Sequence, residues 1–296
     1  MTKVTLPHLR ELKLAGTPIV MVTAYDHPSA RIVDAAGVDL VLVGDSAANT
    51  VLGHDPVSTV GATMEELLVL TRAVSRGCER ALVIGDLPFM SYQVSDEDAV
   101  RNAGRFVKDA GAAVVKLEGA GHSIRRAAAI VGAGIPVMGH IGLTPQTATM
   151  LGGHKAQGRS WHHAKRLCDD ALALEAAGCF AIVLECVPEP VAAAISRRLT
   201  IPTIGIGSGA GTDGQVLVLH DLLDMRSGDG FLPRFVKQFA HIGDAMREGV
   251  SAYAAEVRGR TYPAVEHTYP IASEELSAFE TAIEAGSAED NVLSDW

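Results

Sequence analysis

The stretch Ala177-Gly178-Cys179-Phe180-Ala181-Ile182-Val183-Leu184-Glu185 contains the unit from which we predict the fold. A glycine that follows a helical pattern is typical of the left-handed residue that ends a helix. The apolar run after it, residues 180–184, is typical of a strand that is buried on both faces of a parallel sheet. An acidic residue, Glu185, follows that run. We interpret the unit as the end of a helix, a glycine, a buried strand and a polar loop.

Apolar runs of this kind recur along the chain. They occupy residues 19–24, 40–43, 81–84, 113–117, 136–139, 180–184, 202–206 and 216–219. Helical patterns lie between them, and two begin with clear signals, the capping box from Thr63 to Glu66 and Ser95 before three acids. Eight such units favour an α/β fold of the (β/α)8 TIM barrel type over an open doubly wound sheet. We expect one barrel domain over residues 1–269, with C-terminal helices, and a peripheral acidic extension over residues 270–296.

The composition excludes several classes of protein. Of the 296 residues, 48% are hydrophobic and 20% are charged, which rules out a disordered chain or a small disulfide-bonded domain. The net charge of −10 comes mostly from residues 271–296, which hold seven acids and no Lys or Arg. The rest of the chain is nearly neutral and has no basic stripe, so we expect no nucleic-acid partner.

The cysteine and charge patterns predict a compartment. The four cysteines, at positions 78, 168, 179 and 186, do not have the spacing of a zinc site, so we expect reduced thiols. Residues 1–18 lack the apolar segment of a signal peptide, and the uncharged stretch 127–154 is interrupted by proline, glycine and histidine. We therefore expect a cytoplasmic protein that does not bind a membrane.

Polar residues follow the strands at the end where a barrel of this type builds its active site. They are Tyr25-Asp26, Asp45-Ser46, Asp86, Lys116, Glu118, His140, Glu185 and Ser208. Any single acid among them could be a helix N-cap or a solvated loop carboxylate. Asp45, Asp86 and Glu118 would nevertheless bring like charges to one rim, which is unfavourable without a cation. Oxygen ligands favour a hard ion such as Mg²⁺, whereas zinc favours His or Cys.

Three further side chains are candidates for binding or proton transfer. Lys116 and Glu118 share one face of a strand, so Lys116 can pair with a substrate carboxylate while Glu118 contacts the metal or its bound water. An ordinary ion pair between the two is the alternative. Glu185 ends the most apolar strand, where desolvation makes a carboxylate a stronger base; a structural pair with Lys or Arg is the alternative. For His140 we favour a pocket-wall histidine over a ligand or an acid.

Several motifs together resemble the ketopantoate hydroxymethyltransferase family. They are Thr23-Ala24-Tyr25-Asp26, Val43-Gly44-Asp45-Ser46, Gly53-His54-Asp55, Asp86-Leu87-Pro88-Phe89, Lys116-Leu117-Glu118-Gly119, Gly139-His140-Ile141-Gly142-Leu143-Thr144-Pro145-Gln146 and Leu184-Glu185-Cys186-Val187-Pro188. The resemblance implies that Asp45, Asp86 and Glu118 bind Mg²⁺. It further implies that Ser46 and Lys116, with Asp45 and Asp86, contact the keto acid, and that Glu185 is the proton acceptor.

The resemblance also implies an activity. Members of the family transfer a hydroxymethyl group from 5,10-methylenetetrahydrofolate to 3-methyl-2-oxobutanoate, through an enolate that Mg²⁺ stabilises. The product is 2-dehydropantoate, on the route to pantothenate and coenzyme A, and the family implies a homo-oligomer, commonly a decamer. Two rival interpretations are a Mg²⁺-dependent 2-oxo-acid lyase or mutase of the phosphoenolpyruvate mutase and isocitrate lyase type, and a barrel that serves as a non-enzymatic binding or assembly module.

The chain departs from the family pattern at two places. It has Ala47-Ala48-Asn49 where the pattern is closer to Leu-Gly-Met, and it has His154 where Tyr is common. The first departure lies in the loop that we expect to shape the keto-acid pocket. The predicted acids are unchanged.

Overall fold

Eight parallel strands close into a barrel in the computed structural model, which describes residues 2–55, 58–225 and 232–284. The strands are β1 Ile19–Thr23, β2 Leu40–Val43, β3 Leu82–Asp86, β4 Val114–Lys116, β5 Val137–Gly142, β6 Ala181–Glu185, β7 Thr203–Ile206 and β8 Gly214–Leu217. Each strand pairs with the next along the chain, and β8 pairs with β1. The predicted (β/α)8 barrel is therefore confirmed.

Helices precede, connect and follow the strands along the chain. In chain order they are α1 Leu6–Ala15, α2 His27–Ala35, α3 Ala47–Thr50, α4 Met64–Gly77, α5 Asp96–Lys108, α6 His122–Gly132, α7 Trp161–Ala176, α8 Glu189–Arg198, α9 Leu219–Leu222, α10 Ile242–Gly259 and α11 Ser273–Glu284, with short 3₁₀ turns at Pro145–Thr147 and Val265–His267. The capping box at Thr63 and Glu66 is present, and Ser95 caps α5 by accepting a hydrogen bond from the Asp98 backbone. After α7, Gly178 has φ 95°, as predicted for a residue that ends a helix.

The apolar residues of each strand divide between two layers of core. On β6, Ala181 and Val183 belong to the cluster inside the barrel, whereas Ile182 and Leu184 belong to the cluster between the barrel and the helices. Successive side chains of a strand point to opposite faces, and both faces are buried here, so the strand sequence is apolar throughout. The same alternation directs Glu185 towards the barrel interior.

The chain divides into two compact units, residues 1–243 and residues 244–296. The first contains the complete barrel. In the second, Tyr262 packs edge-on against Tyr253, and α11 has no buried residue. The boundary that we predict at residues 269 and 270 stays a prediction about domain organisation. None of the described helices combines the length and the apolar character that a bilayer crossing requires.

Candidate active site

One cavity at the carboxyl ends of the strands brings together most of the polar residues that the sequence singled out, whereas Tyr25, Asp26 and Ser208 do not line it. Its lining includes Asp45, Ser46, Asp86, Lys116, Glu118 and Glu185, and its volume is about 170 Å³. The apolar part of the wall comes from inside the barrel, from Leu42, Val183, Ile206 and Val216. The cavity therefore suits a small ligand with one polar end and one apolar end.

Lys116 is the central cation of the site. Its Nζ lies 2.8 Å from Asp86 Oδ1 and 3.8 Å from Glu118 Oε1, and all three side chains are buried. Asp86 lies directly beside Lys116 in the pairing of β3 with β4. Paired residues on neighbouring strands are closer together than residues two apart on one strand. Lys116 therefore lies closer to Asp86 than to Glu118, the neighbour that we expected from the sequence. Burial opposes the charge on Lys116, but the surrounding carboxylates outweigh it and raise the pKa of the amine.

Asp45 is held in its protonated form more strongly than an ordinary carboxyl group. Burial, followed by the charges of Asp86 and Glu118, raises its pKa to about 8. The Asp45 backbone N–H donates to Asp86 Oδ2 over 3.0 Å, so the two residues adjoin. Burial also raises the pKa of Asp86, although Lys116 opposes the shift. A cation between these carboxylates would relieve both their repulsion and their loss of solvation.

The negative charge of the buried Glu118 carboxylate is already balanced by neighbouring protein groups. Burial opposes its ionisation, but the charge and hydrogen bond of His140, followed by Lys116, lower its pKa. Its Oε2 also accepts a hydrogen bond of 3.1 Å from the backbone of Gln146. Within the described ranges, no group of three or more His, Cys, Asp or Glu side chains is gathered as a metal site. The three-acid Mg²⁺ set therefore stays a prediction.

His140 lies between Glu118 and the predicted base, Glu185. Its Nδ1 lies 3.3 Å from Glu118 Oε1, and its Nε2 lies 3.2 Å from Glu185 Oε2. Burial opposes the charged imidazolium, but Glu118 outweighs it and the pKa of His140 rises to about 9. His140 is therefore protonated at neutral pH. The sequence interpretation placed it in the pocket wall and assigned it neither of these contacts.

A sequence model described as ketopantoate hydroxymethyltransferase matches residues 3–265. The chain belongs to the ketopantoate hydroxymethyltransferase family. A 3-methyl-2-oxobutanoate hydroxymethyltransferase from Carboxydothermus hydrogenoformans is 52% identical over 276 residues, which cover 93% of this chain and 99% of that protein. A protein of the same name from Heliobacterium modesticaldum is 50% identical over 92% of this chain and 97% of its own length.

Solved structures share the fold of this family member at low identity. Phosphonopyruvate hydrolase superposes with a TM-score of 0.59 at 14% identity, covering 98% of this chain and 100% of that one. A 2,3-dimethylmalate lyase, described as a member of the phosphoenolpyruvate mutase/isocitrate lyase superfamily, gives 0.57 at 15% identity, covering 97% and 99%. At these identities the similarity concerns the barrel fold.

Two residues of this hydroxymethyltransferase family member that sequence reasoning did not assign organise the site. Gln146 donates through Nε2 to Asp45 Oδ2 over 3.0 Å, and its Oε1 accepts a hydrogen bond of 2.7 Å from the Tyr92 hydroxyl. The same hydroxyl accepts a bond of 3.1 Å from the backbone N–H of Glu118. Gln146 is in one of the motifs quoted above, but only the structure places it between Asp45 and Glu118.

Ser46 lies at the edge of the polar part of the cavity. Its Oγ is 2.8 Å from the Tyr25 hydroxyl, which is itself buried. Both residues belong to segments that follow strands, β1 and β2, which are neighbours in the barrel. The pair could have been anticipated from the adjacency of these two loops.

Proposed function

We propose that the protein transfers a hydroxymethyl group from 5,10-methylenetetrahydrofolate to 3-methyl-2-oxobutanoate and forms 2-dehydropantoate. The observation that carries this proposal is the convergence of Asp45, Asp86, Lys116 and Glu185 on one small cavity in a member of this family. The polar end of that cavity suits the 2-oxo acid group, and its apolar wall suits the branched alkyl group.

A divalent cation fits the donors at the polar end. Asp45 and Asp86 adjoin, both are buried, and burial raises the pKa of each, so a bound cation would stabilise their ionised forms. Mg²⁺ commonly takes one or two carboxylates and completes its shell with water and ligand oxygens. We propose that Asp45 and Asp86 hold Mg²⁺ and that Glu118 supports it from the side of His140. The bound ion would polarise the ketone of the substrate and acidify its C3 proton.

The remaining steps belong to side chains of this chain. Lys116 and Ser46 bind and orient the 2-oxo acid, and Glu185 removes the proton from C3. His140 Nε2 lies 3.2 Å from Glu185 Oε2, a position from which it would orient this carboxylate. The C3 carbanion forms a bond to the methylene carbon of the folate, and the two bonds from that carbon to folate nitrogens break. Water supplies the hydroxyl group, and its second proton and the proton taken from C3 go to the two nitrogens of the departing tetrahydrofolate.

A lyase or mutase that acts on 2-oxo acids is the second candidate, because the superposed solved structures include members of that superfamily. Product analysis distinguishes the two. The proposal requires consumption of 3-methyl-2-oxobutanoate that depends on methylenetetrahydrofolate and releases tetrahydrofolate in equal amount. Consumption of the keto acid without the folate would contradict it and favour the second candidate.

The test of the proposal is an assay for tetrahydrofolate release with Mg²⁺ present. We expect Asp86→Ala to lower kcat/KM at least about 100-fold, because it removes a buried charge at the reacting centre. Asp169→Ala is the matched control, since Asp169 pairs with Lys165 on the exposed face of α7. Equal activity of the two variants would refute the role of Asp86.

We also propose that the protein is a cytoplasmic homo-oligomer, on the basis of its family. Light scattering coupled to gel filtration tests this: a mass near ten times the 31.0 kDa of one chain is expected. A monomeric mass at assay concentration would contradict the decamer without affecting the proposed reaction.

A further inference from the structure

Within the described part of the chain, a buried hydroxyl group in the cavity lacks a hydrogen-bond partner. Thr59 is 7% exposed and lines the cavity together with Asp45 and Ser46. Among the described residues, its Oγ1 is one of the buried polar atoms for which no partner is present. Buried polar atoms of this kind are rare in folded proteins, and each indicates a missing partner, such as a ligand or water, or local strain.

The segment around Thr59 is fixed by its own hydrogen bonds. The Thr59 carbonyl accepts a bond of 3.1 Å from the Ala62 backbone, and Ser58 Oγ accepts one of 3.3 Å from the Val60 backbone. On the following side, Glu66 accepts bonds from the backbone and the hydroxyl of Thr63. The turn therefore presents the Thr59 hydroxyl from a stable position.

Asn49 ties this turn to the polar side of the cavity. Its Nδ2 donates to the carbonyl oxygens of Ser58 and Asp55 over 3.4 and 3.3 Å. Asn49 lies on α3, which begins directly after Asp45 and Ser46. Thr59 is consequently held on the side of the cavity where these residues lie. Asn49 is also one of the positions at which the chain departs from the pattern of its family.

The chemistry of the neighbouring groups indicates what Thr59 binds. A threonine hydroxyl donates one hydrogen bond, and a carboxylate only accepts. In the cavity, Lys116 is paired with Asp86, and Ser46 is paired with Tyr25. The Thr59 hydroxyl, unlike these two groups, has no protein partner among the described residues, so its hydrogen is available to a ligand. The apolar part of the lining comes from Leu42, Val183, Ile206 and Val216, so the charged end of a 2-oxo acid belongs with the polar groups.

We propose that Thr59 Oγ1 donates a hydrogen bond to the carboxylate of the bound 2-oxo acid and is a substrate-binding residue of this protein. The inference rests on the proposed function and adds a contact to it. It also gives a role to Asn49, whose two hydrogen bonds hold the turn beside α3 and so on the side of Ser46.

The test compares two buried threonines, Thr59, which lines the cavity, and Thr71, which does not. Thr71 on α4 is also fully buried, and its Oγ1 likewise lacks a partner among the described residues, but it is not among the residues that line the cavity. Thr59→Val and Thr71→Val remove the hydroxyl without changing side-chain volume, and Thr59→Ser retains it. Dissociation constants for 3-methyl-2-oxobutanoate are measured by calorimetry with Mg²⁺, together with KM, kcat and thermal unfolding.

A hydrogen bond to a charged group corresponds to an affinity loss of about 10- to 100-fold. We expect Thr59→Val to raise the dissociation constant and KM by that factor, with kcat changed less than about threefold. Thr59→Ser and Thr71→Val should bind as the parent protein does. If Thr59→Val does not fold, Thr59→Ala and Thr59→Ser give the same comparison.

Unchanged binding by Thr59→Val, or an equal loss in Thr71→Val, would overturn the inference. The same assays on the parent protein distinguish this result from failure of the proposed function. If the parent releases tetrahydrofolate with the keto acid while Thr59→Val binds normally, only the role of Thr59 is refuted. If the parent neither binds nor converts the keto acid, the proposed function itself is refuted, and the Thr59 inference is refuted with it.

Discussion

Replacing His140 with glutamine removes the imidazolium between Glu118 and Glu185, and its effect on folding should depend on pH. Burial opposes the charge on His140, but Glu118 outweighs it, and the pKa rises from 6.5 to about 9 in the folded state. A pKa that is higher in the folded state contributes stability below the unfolded value, and this stability is lost as the pH rises through the folded value. The relevant window is therefore pH 6.5 to 9.

The expected change in the free energy of unfolding follows from this pKa shift. One pKa unit corresponds to about 1.4 kcal/mol, so protonation of His140 contributes about 3 kcal/mol to the free energy of unfolding below pH 6.5. His140→Gln lacks this contribution at every pH. The difference in unfolding free energy between parent and variant should therefore shrink by about 3 kcal/mol between pH 6 and pH 9.5.

Urea unfolding without divalent cations, followed by circular dichroism, measures this difference. The matched control is His241→Gln, because His241 pairs with Asp224 over 2.8 Å but is 65% exposed. An exposed pair is worth at most about 1 kcal/mol, so the control should change little across the same pH range. A difference between parent and His140→Gln that stays constant from pH 6 to pH 9.5 would show that the imidazolium is not stabilised by its neighbours.

Four further predictions follow from the site and the fold. Glu185→Gln should keep keto-acid binding but lose exchange of the substrate C3 hydrogen with D₂O by about 100-fold or more; normal exchange, followed by NMR, would remove Glu185 as the base. Asp45→Asn without metal should become progressively more stable than the parent as the pH rises from about 4 to about 8, and should keep that advantage above pH 8, because burial raises the pKa of Asp45 from 3.8 to about 8 and the unfolded state loses the proton first; equal urea midpoints at pH 8 would contradict this. Gly142→Ala should lose more than about 2 kcal/mol, since φ is 98° and a Cβ would lie 2.2 Å from the Glu185 carbonyl oxygen; an unchanged melting temperature would contradict the strain. Removal of residues 271–296 should leave kcat/KM within about threefold, because the segment lies outside the (β/α)8 pattern; an inactive but folded product would place the segment at a site or interface.

The strands could be predicted because burial on both faces leaves uninterrupted apolar runs. The predicted ends were less accurate where a strand continues into the cavity. We predicted that β5 ends at residue 139, yet it extends through His140 to Gly142. A polar residue usually ends an apolar run, but His140 remains in the strand, where Glu118 and Glu185 lie within 3.3 Å of its ring nitrogens. Partners from neighbouring strands cannot be seen in the sequence of one strand.

The same limit applies to the side chains of the site. Asp45, Asp86 and Glu185 could be predicted because each ends an apolar run, and the barrel directs such residues to one mouth. Gln146 and Thr59 lie farther along their loops, where strand geometry no longer determines direction. Only the structure identifies these two residues: Gln146 by its hydrogen bond to Asp45, and Thr59 by a hydroxyl group that lacks a partner among the described residues.

The charge of the cavity connects these observations. Its described lining has five carboxylate side chains, on Asp45, Asp86, Glu118, Glu185 and Asp221, and two groups that carry positive charge, on Lys116 and His140. A 2-oxo acid would add a further negative charge to a site where burial and neighbouring acids already raise the pKa of Asp45. Binding of such an anion therefore requires that a cation enters or that carboxylates take up protons. If a divalent cation enters, the affinity for the keto acid should rise with Mg²⁺; if protons enter, it should rise as the pH falls below 8 without metal. Titration of the keto acid against both variables decides between them, and affinity that responds to neither would mean that the acid binds outside this cavity.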